Sequence, residues 1–209
     1  QIGGLGFMSV MTAASLLVRR TITLRERMVI GAGFNLDSYG GIVRLTRRVL
    51  FGTLLFEGIG AALLSVRFVG EFGLLRGIGM GIFHAVSAFC NGGFDLMGTP
   101  DDPFCSLVGY AGDPLVSLTI MALIVIGGLG FFVWSDVWDR KCFKRLTLHS
   151  KLVLTTSGAL LAGGFVLTLL FEWSNPATLG GMTLPRKLLA AAFQSVTLRT
   201  AGFNTIDES

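Results

Sequence analysis

The chain has 209 residues, 52% of them hydrophobic and only 14% charged, against about 25% charged in ordinary soluble chains. Its formal net charge is +4 and its mean hydropathy +0.70. These values exclude a disordered chain, a nucleic-acid-binding tail and a disulfide-held scaffold, and 29 glycines among so many apolar residues point to closely packed membrane helices.

The chain opens on Gln1 and enters an apolar run at once, with no basic leader or cleavage site before it, so 2–18 reads as a span and not a signal peptide. Together with an end soon after a glycine-rich turn, this suggests a piece of a longer membrane protein. A spanning helix needs about 20 apolar residues. Four segments meet that length: 2–18, 49–66 with Glu57 as its one charge, 114–135 and 152–171. Two shorter apolar segments lie between and after them. One is 78–94, with His84, Ser87 and Asn91 inside it; the other is 188–198. Short segments of this kind read as re-entrant pieces.

Basic residues orient the spans. Arg19, Arg20, Arg25, Arg27, Arg44, Arg47 and Arg48 crowd 19–48, and Arg140, Lys141, Lys144, Arg145 and Lys151 crowd 140–151. The positive-inside rule places both segments in the cytoplasm, where lipid head groups or a partner can meet them. The remaining connections lean acidic, with Asp95, Asp101, Asp102 and Asp113, then Glu172, Asp207 and Glu208. They are expected outside.

The chain also repeats itself. Ile2-Gly-Gly-Leu-Gly-Phe7 recurs identically as Ile126-Gly-Gly-Leu-Gly-Phe131, in spans running the same way. Phe83-His-Ala-Val-Ser87 pairs with Phe193-Gln-Ser-Val-Thr197, and Asn91-Gly-Gly-Phe-Asp95 with Thr200-Ala-Gly-Phe-Asn204. The two matches differ in offset, so one residue is inserted between helix and turn. Matching direction excludes repeats inverted in the membrane plane and favours parallel repeats around an axis along its normal.

Non-helical backbone at membrane depth survives only where it is buried or lines water. A short helix followed by T/N-x-G-F exposes successive carbonyls, and Gly93 and Gly202 permit the backbone angles required. Four such turns around an axis would form rings of oxygens able to replace a cation's hydration shell. Short helices over roughly 79–88 and 186–196 would aim their negative carboxyl-terminal ends at that axis. Two rival readings remain open. A secondary transporter of a small solute also uses broken helices near the midplane, but needs polar side chains converging there. A structural membrane subunit would not need matched turns.

These motifs resemble the Trk/Ktr/HKT superfamily of potassium transport subunits, most closely the KtrB-type membrane subunits of bacteria. The resemblance rests on F-H-A-V-S-A-F-C-N-G-G-F-D at 83–95, F-Q-S-V-T-L-R-T-A-G-F-N-T-I-D at 193–207, I-G-G-L-G-F at 2–7 and G-G-I-V-R-L-T-R-R at 40–48. It implies an all-α polytopic fold of M1–pore helix–M2 repeats around a central pore, with re-entrant filter loops. The chain would hold M2 of repeat one (1–18), a cytoplasmic basic connection (19–48), repeat two (49–138), a second basic loop (139–151), and M1, pore helix and filter of repeat three (152–209). It further implies potassium uptake across a bacterial plasma membrane, often with sodium, by a homodimer on a cytosolic ring of nucleotide-binding regulatory subunits. The ion-facing carbonyls would be those of Asn91, Gly92, Gly93 and Phe94 and of Thr200, Ala201, Gly202 and Phe203. Cys90 and Gly92 depart from the N-N-A-G-F usual in the second filter of the family.

Other residues carry separate expectations. Gly127 and Gly128, like Gly3 and Gly4, are expected to serve close packing against a neighbouring short helix, or else bending. Glu57 would have a buried partner or line the ion path. Arg199 is expected to point away from the pore and to anchor its turn through Asp207 or Glu208. His84, read as lying at a helix start, is expected to make a helix-end hydrogen bond in preference to sensing pH. Gly93 is expected to tolerate a side chain better than Gly202, because Gly92 beside it leaves room, and Gly180 to be a silent position. Cys90, Cys105 and Cys142 are too dispersed for a metal site. There is no phosphate-binding G-x-x-x-x-G-K-[ST], and Gly77-x-Gly79-x-Gly81 lacks the dinucleotide spacing, so no enzyme and no organic cofactor is expected.

Overall fold

The computed structural model describes residues 42–98, 105–176, 178–199 and 201–206. The expected span 2–18, the stretch 19–41, Thr200, Asp207 and Glu208 lie outside them. The chain divides into two compact units, 1–56 and 57–209. The described residues are helical, with two 3-10 turns and no strand.

Helix α1 (Ile42–Phe72) already begins inside the stretch expected as a basic connection and runs past the expected boundary at 66. No proline interrupts it. It stops at Gly73, whose φ of 82° and ψ of 168° lie in a region that is essentially glycine-only. Helix α2 (Leu74–Phe89) follows directly and is longer at its start than the expected 79–88. Its buried residues Gly77, Met80, Gly81, His84, Ala85 and Ala88 recur at helical spacing and form one face. Gly77 and Gly81 bring that face against the α1 backbone around Val69 and Ser65, where a β-carbon would have no room.

Helix α3 (Pro114–Leu129) starts where its sequence says it should. Asp113 caps it, accepting from the Leu115 and Val116 amides at 3.0 and 3.3 Å, and Pro114 fills the first turn. The expected single span 114–135 is instead broken. Gly130, at φ 84° and ψ 152°, separates α3 from helix α4 (Phe131–Arg140), and the two are bent by 93°. The Gly127–Gly128 pair sits one turn earlier and stays helical. The break frees carbonyls, and the Trp134 indole donates to one of them, Ile126 O, at 2.8 Å.

Helix α5 (Leu148–Glu172) is capped by Thr147, whose hydroxyl accepts from the Ser150 amide at 3.3 Å. Asp136 of α4 receives the Thr147 amide and hydroxyl at 2.8 and 2.9 Å and pairs with Arg140 at 2.7 Å, which fixes the turn between α4 and α5. Helix α6 (Leu184–Thr197) closes the described order. It packs on α5 where Ser195 meets Gly164 and donates to Leu161 O at 2.6 Å.

Two stretches, Arg47–Phe72 and Leu148–Glu172, are long and apolar enough to cross a bilayer, and α3 with α4 is a third if the bent pair counts as one. Within α5 only Ser150 and Ser157 are buried. Such an apolar surface is costly in water and unremarkable in lipid.

The carboxyl-terminal end of α1 is tied to the start of α3 by a polar cluster. Arg67 pairs with Asp113 at 2.7 Å and Glu71 at 3.1 Å, and the Tyr110 hydroxyl donates to Glu71 at 2.9 Å. Burial, reinforced by the Glu71 carboxylate, pushes the Tyr110 phenol up from its ordinary value. Tyr110 therefore remains a donor throughout the physiological range.

Replacing Gly130 by alanine forces a β-carbon into its conformation and should cost about 1–3 kcal/mol. Gly163→Ala, at a position with open space around it, should leave stability unchanged or raise it. Thermal unfolding of the purified protein in detergent measures both; equal midpoints for the two variants would mean that the bend does not depend on glycine.

Candidate ion-binding turns

The site is built where α2 and α6 end. The last turn of α2 closes with two bonds, Asn91 N–H to Ala88 O at 3.1 Å and Gly92 N–H to Ser87 O at 2.8 Å. Asn91 sits between them at φ 51°. This is a Schellman cap, in which asparagine takes the left-handed position more often filled by glycine. At the end of α6 the corresponding bond runs from Ala201 N–H to Thr197 O at 2.9 Å. The amide reaching back is five residues on from Ser87 in the first case and four from Thr197 in the second. The extra residue between helix and turn therefore lies within 88–90, against 198–199 in the second case.

Beyond the caps, the two turns meet. Gly93 and Gly202 both have positive φ, 65° and 80°. A β-carbon on Gly93 would lie 2.5 Å from Ala201 O and 2.8 Å from Gly202 Cα, and one on Gly202 would lie 3.2 Å from Gly93 Cα. The two turns therefore pass backbone against backbone, with no side chain between them. Gly93, expected to be the more tolerant of the two, is the less tolerant, because its β-carbon would meet backbone.

Each turn is held from behind. The Thr197 hydroxyl donates to Phe203 O at 2.6 Å, which occupies one lone pair of that carbonyl. Asn204 is clamped by the loop before α3: its amide donates to Ser106 Oγ at 3.1 Å and its carbonyl accepts from Leu107 N–H at 2.9 Å. After the first turn, Asp95 Oδ1 accepts from Met97 N–H at 3.0 Å, and the Leu96 amide donates to His84 Nε2 at 3.3 Å. Ala201 and Phe203 are fully buried, whereas the Phe94 ring is 71% exposed. His84 lies in the interior of α2, not at its start, and is fully buried.

The remaining predicted residues surround these turns. Gly127 of α3 sits against the end of α2, where a β-carbon would run into Phe89 O. A β-carbon on Gly128 would lie 3.2 Å from Asn91 Nδ2 and 3.9 Å from the Arg199 guanidinium. Arg199 donates to Ser157 of α5 at 3.1 Å; the acids expected to anchor it lie outside the described residues. Glu57 is on α1, not on either turn, and is 5% exposed. Gly180 is not silent, since its amide bonds to Asn175 O at 2.6 Å and a β-carbon there would meet that same backbone.

The support from Thr197 had a signal in the sequence, the shared F-x-x-V-S/T register of the two helices; His84 stands at a variable position of that pattern. Ser106 and Leu107 had none, because they come from a loop far away in the chain. Among the described residues no group of three or more His, Cys, Asp or Glu side chains could hold a metal ion.

Described residues that are helical and without a strand, with apolar helices of bilayer length, define a helical membrane protein. Residues 1–209 match the TrkH family of cation transport proteins. The chain belongs to that family, whose members are transporters and not enzymes. It is 41% identical over 207 residues to Ktr system potassium uptake protein B of Bacillus subtilis, covering 99% of this chain and 45% of that protein. It is likewise 41% identical over 207 residues to the potassium/sodium uptake protein NtpJ of Enterococcus hirae, covering 99% and 44%. Against Ktr system potassium uptake protein B of Vibrio alginolyticus it is 38% identical over 209 residues, covering 99% and 45%. The chain thus spans less than half the length of these relatives.

Gly127→Ala should push α3 off the end of α2 and lower stability by about 1–3 kcal/mol, as overpacking against backbone does. Gly128→Ala meets only the ends of two side chains and should unfold close to the unsubstituted protein. Detergent melting curves of the two variants test this, and an unaffected Gly127→Ala would remove the close contact between α3 and α2.

Proposed function

We propose that this chain forms part of the ion-conducting membrane subunit of a potassium uptake system in a bacterial plasma membrane. In this reading α2 and α6 are pore helices, and the carbonyls of Asn91, Gly92, Gly93 and Phe94 and of Thr200, Ala201, Gly202 and Phe203 belong to a selectivity filter. The order of M1, pore helix and M2 follows as α1, α2 and α3–α4, then α5 and α6 as M1 and pore helix of the next repeat. The observation that carries the reading is the meeting of Gly93 and Gly202, two glycine turns over a hundred residues apart in sequence whose backbones touch. Carbonyl oxygens pinned this closely can replace water around an ion of one size at lower cost than around another. The names of the relatives support potassium as the cargo, and that of the Enterococcus hirae protein supports sodium as co-ion or activator. A homodimer and a cytosolic ring of nucleotide-binding subunits belong to the same proposal, with the basic stretches 19–48 and 140–151 as the docking face.

The filter is tested in the full-length transporter. Gly202→Ser should reach the membrane but lose potassium preference, with apparent potassium affinity falling at least ~10-fold, about 1.4 kcal/mol. Gly93→Ser should be the more severe, because its β-carbon meets backbone on the second turn. Gly181→Ala, with nothing near its β-carbon, serves as control in place of Gly180. Unchanged potassium affinity and sodium exclusion in a well-expressed Gly202→Ser would end the filter assignment.

The orientation is tested at the exposed Lys144. A cysteine placed there should react with a membrane-impermeant reagent in inside-out vesicles and not in intact cells. Labelling from outside would reverse the topology.

A further inference from the structure

We propose that His84 is a positioning residue for both turns, and that its task is to present a hydrogen-bond acceptor to the amide of residue 96. The inference rests on the filter reading above and adds to it the part that fixes where the first turn leaves the site.

His84 is fully buried in the middle of α2. Its Nδ1 lies 2.7 Å from Met80 O, one helical turn back. A carbonyl can only accept, so Nδ1 must carry the proton. Nε2 is then left with a bare lone pair, and the Leu96 amide donates to it at 3.3 Å. The two bonds together set the tautomer and the orientation of the ring. Leu96 is the second residue after Phe94, so the bond ties the chain leaving the first turn to the helix that enters it.

The same ring reaches the second turn. Its centroid is 6.4 Å from that of Phe203 at an interplanar angle of 35°, and the Phe203 carbonyl is the one held by Thr197. Phe68 of α1 and Phe83 of α2 close the other sides at 5.6 and 5.8 Å. One side chain is therefore bonded to the exit of the first turn and packed on the aromatic residue of the second. The matching position in α6 is Gln194, also buried, a neutral residue whose amide can accept as well as donate. Both helices thus place an uncharged acceptor at this register.

Asparagine and glutamine separate the two nitrogens of the ring. At position 84, asparagine imitates Nδ1 and keeps the bond to Met80 but cannot reach Leu96. Glutamine imitates Nε2 and can reach it. In the full-length transporter, His84→Gln should keep potassium affinity and sodium exclusion near the unsubstituted values. His84→Asn should lower apparent potassium affinity ~10-fold and admit sodium, as loss of one buried hydrogen bond predicts. Asparagine and glutamine behaving alike, whether both intact or both defective, would overturn the proposal: the bond to Leu96 would then not be what matters. If His84→Asn fails to fold, as judged by detergent melting, glutamine alone decides, and a folded His84→Gln without potassium preference overturns it. Gly202→Ser measured alongside keeps the two readings apart. A defective Gly202→Ser beside a fully active His84→Asn removes the role of His84 alone, whereas an intact Gly202→Ser removes the filter beneath it.

Discussion

Two backbones in contact with no side chain between them is the constraint on which the site depends. Gly93 and Gly202 satisfy it because they lack a β-carbon and because each accepts a positive φ. Bringing them together requires α2 and α6 to end at the same place and at compatible angles. The elements around them work toward that end: Gly77 and Gly81 seat α2 on α1, Gly127 seats α3 on the end of α2, and Gly164 seats α5 on α6. Small residues at helix contacts are the usual means of drawing helices together in lipid, where no hydrophobic effect presses them inward.

Contact alone would leave the turns soft. Their backbone groups gain definite positions from polar partners behind them, and these come from several parts of the chain. Thr197 acts from the helix of its own turn, Ser106 and Leu107 from the loop before α3, and His84 from α2. The proposed filter would need such support, because small displacements of a few oxygens alter the balance between dehydration and coordination. The exposed Phe94 beside the fully buried Phe203 shows that the two turns are alike in backbone but not in surroundings.

Much of this was legible in the residues. The apolar runs located α1 and α5, and the F-x-x-V-S/T and G-F pairs located both turns, because a residue type that backbone geometry demands leaves a local mark. Boundaries were less legible. Arg44, Arg47 and Arg48 looked like loop, yet arginine is a good helix former and its charge does not end a helix, so α1 starts at Ile42. The break at Gly130 was masked by apolar residues on both sides, since hydropathy reports burial in lipid and is blind to the direction of the axis.

The sequence by itself determined that the chain is helical and membrane-embedded, that glycine turns follow two of its short helices, and that these turns differ by one residue in their approach. All of these follow from composition, period and local conformational preference. Only the tertiary structure decided that Gly93 meets Gly202, that Arg199 turns to Ser157, and that His84 bonds to Leu96 and packs on Phe203. Each of those is a contact between residues whose separation in the chain carries no information about their separation in space. Which of many chemically acceptable partners is chosen depends on how the helices pack, and the packing is a property of all the contacts together.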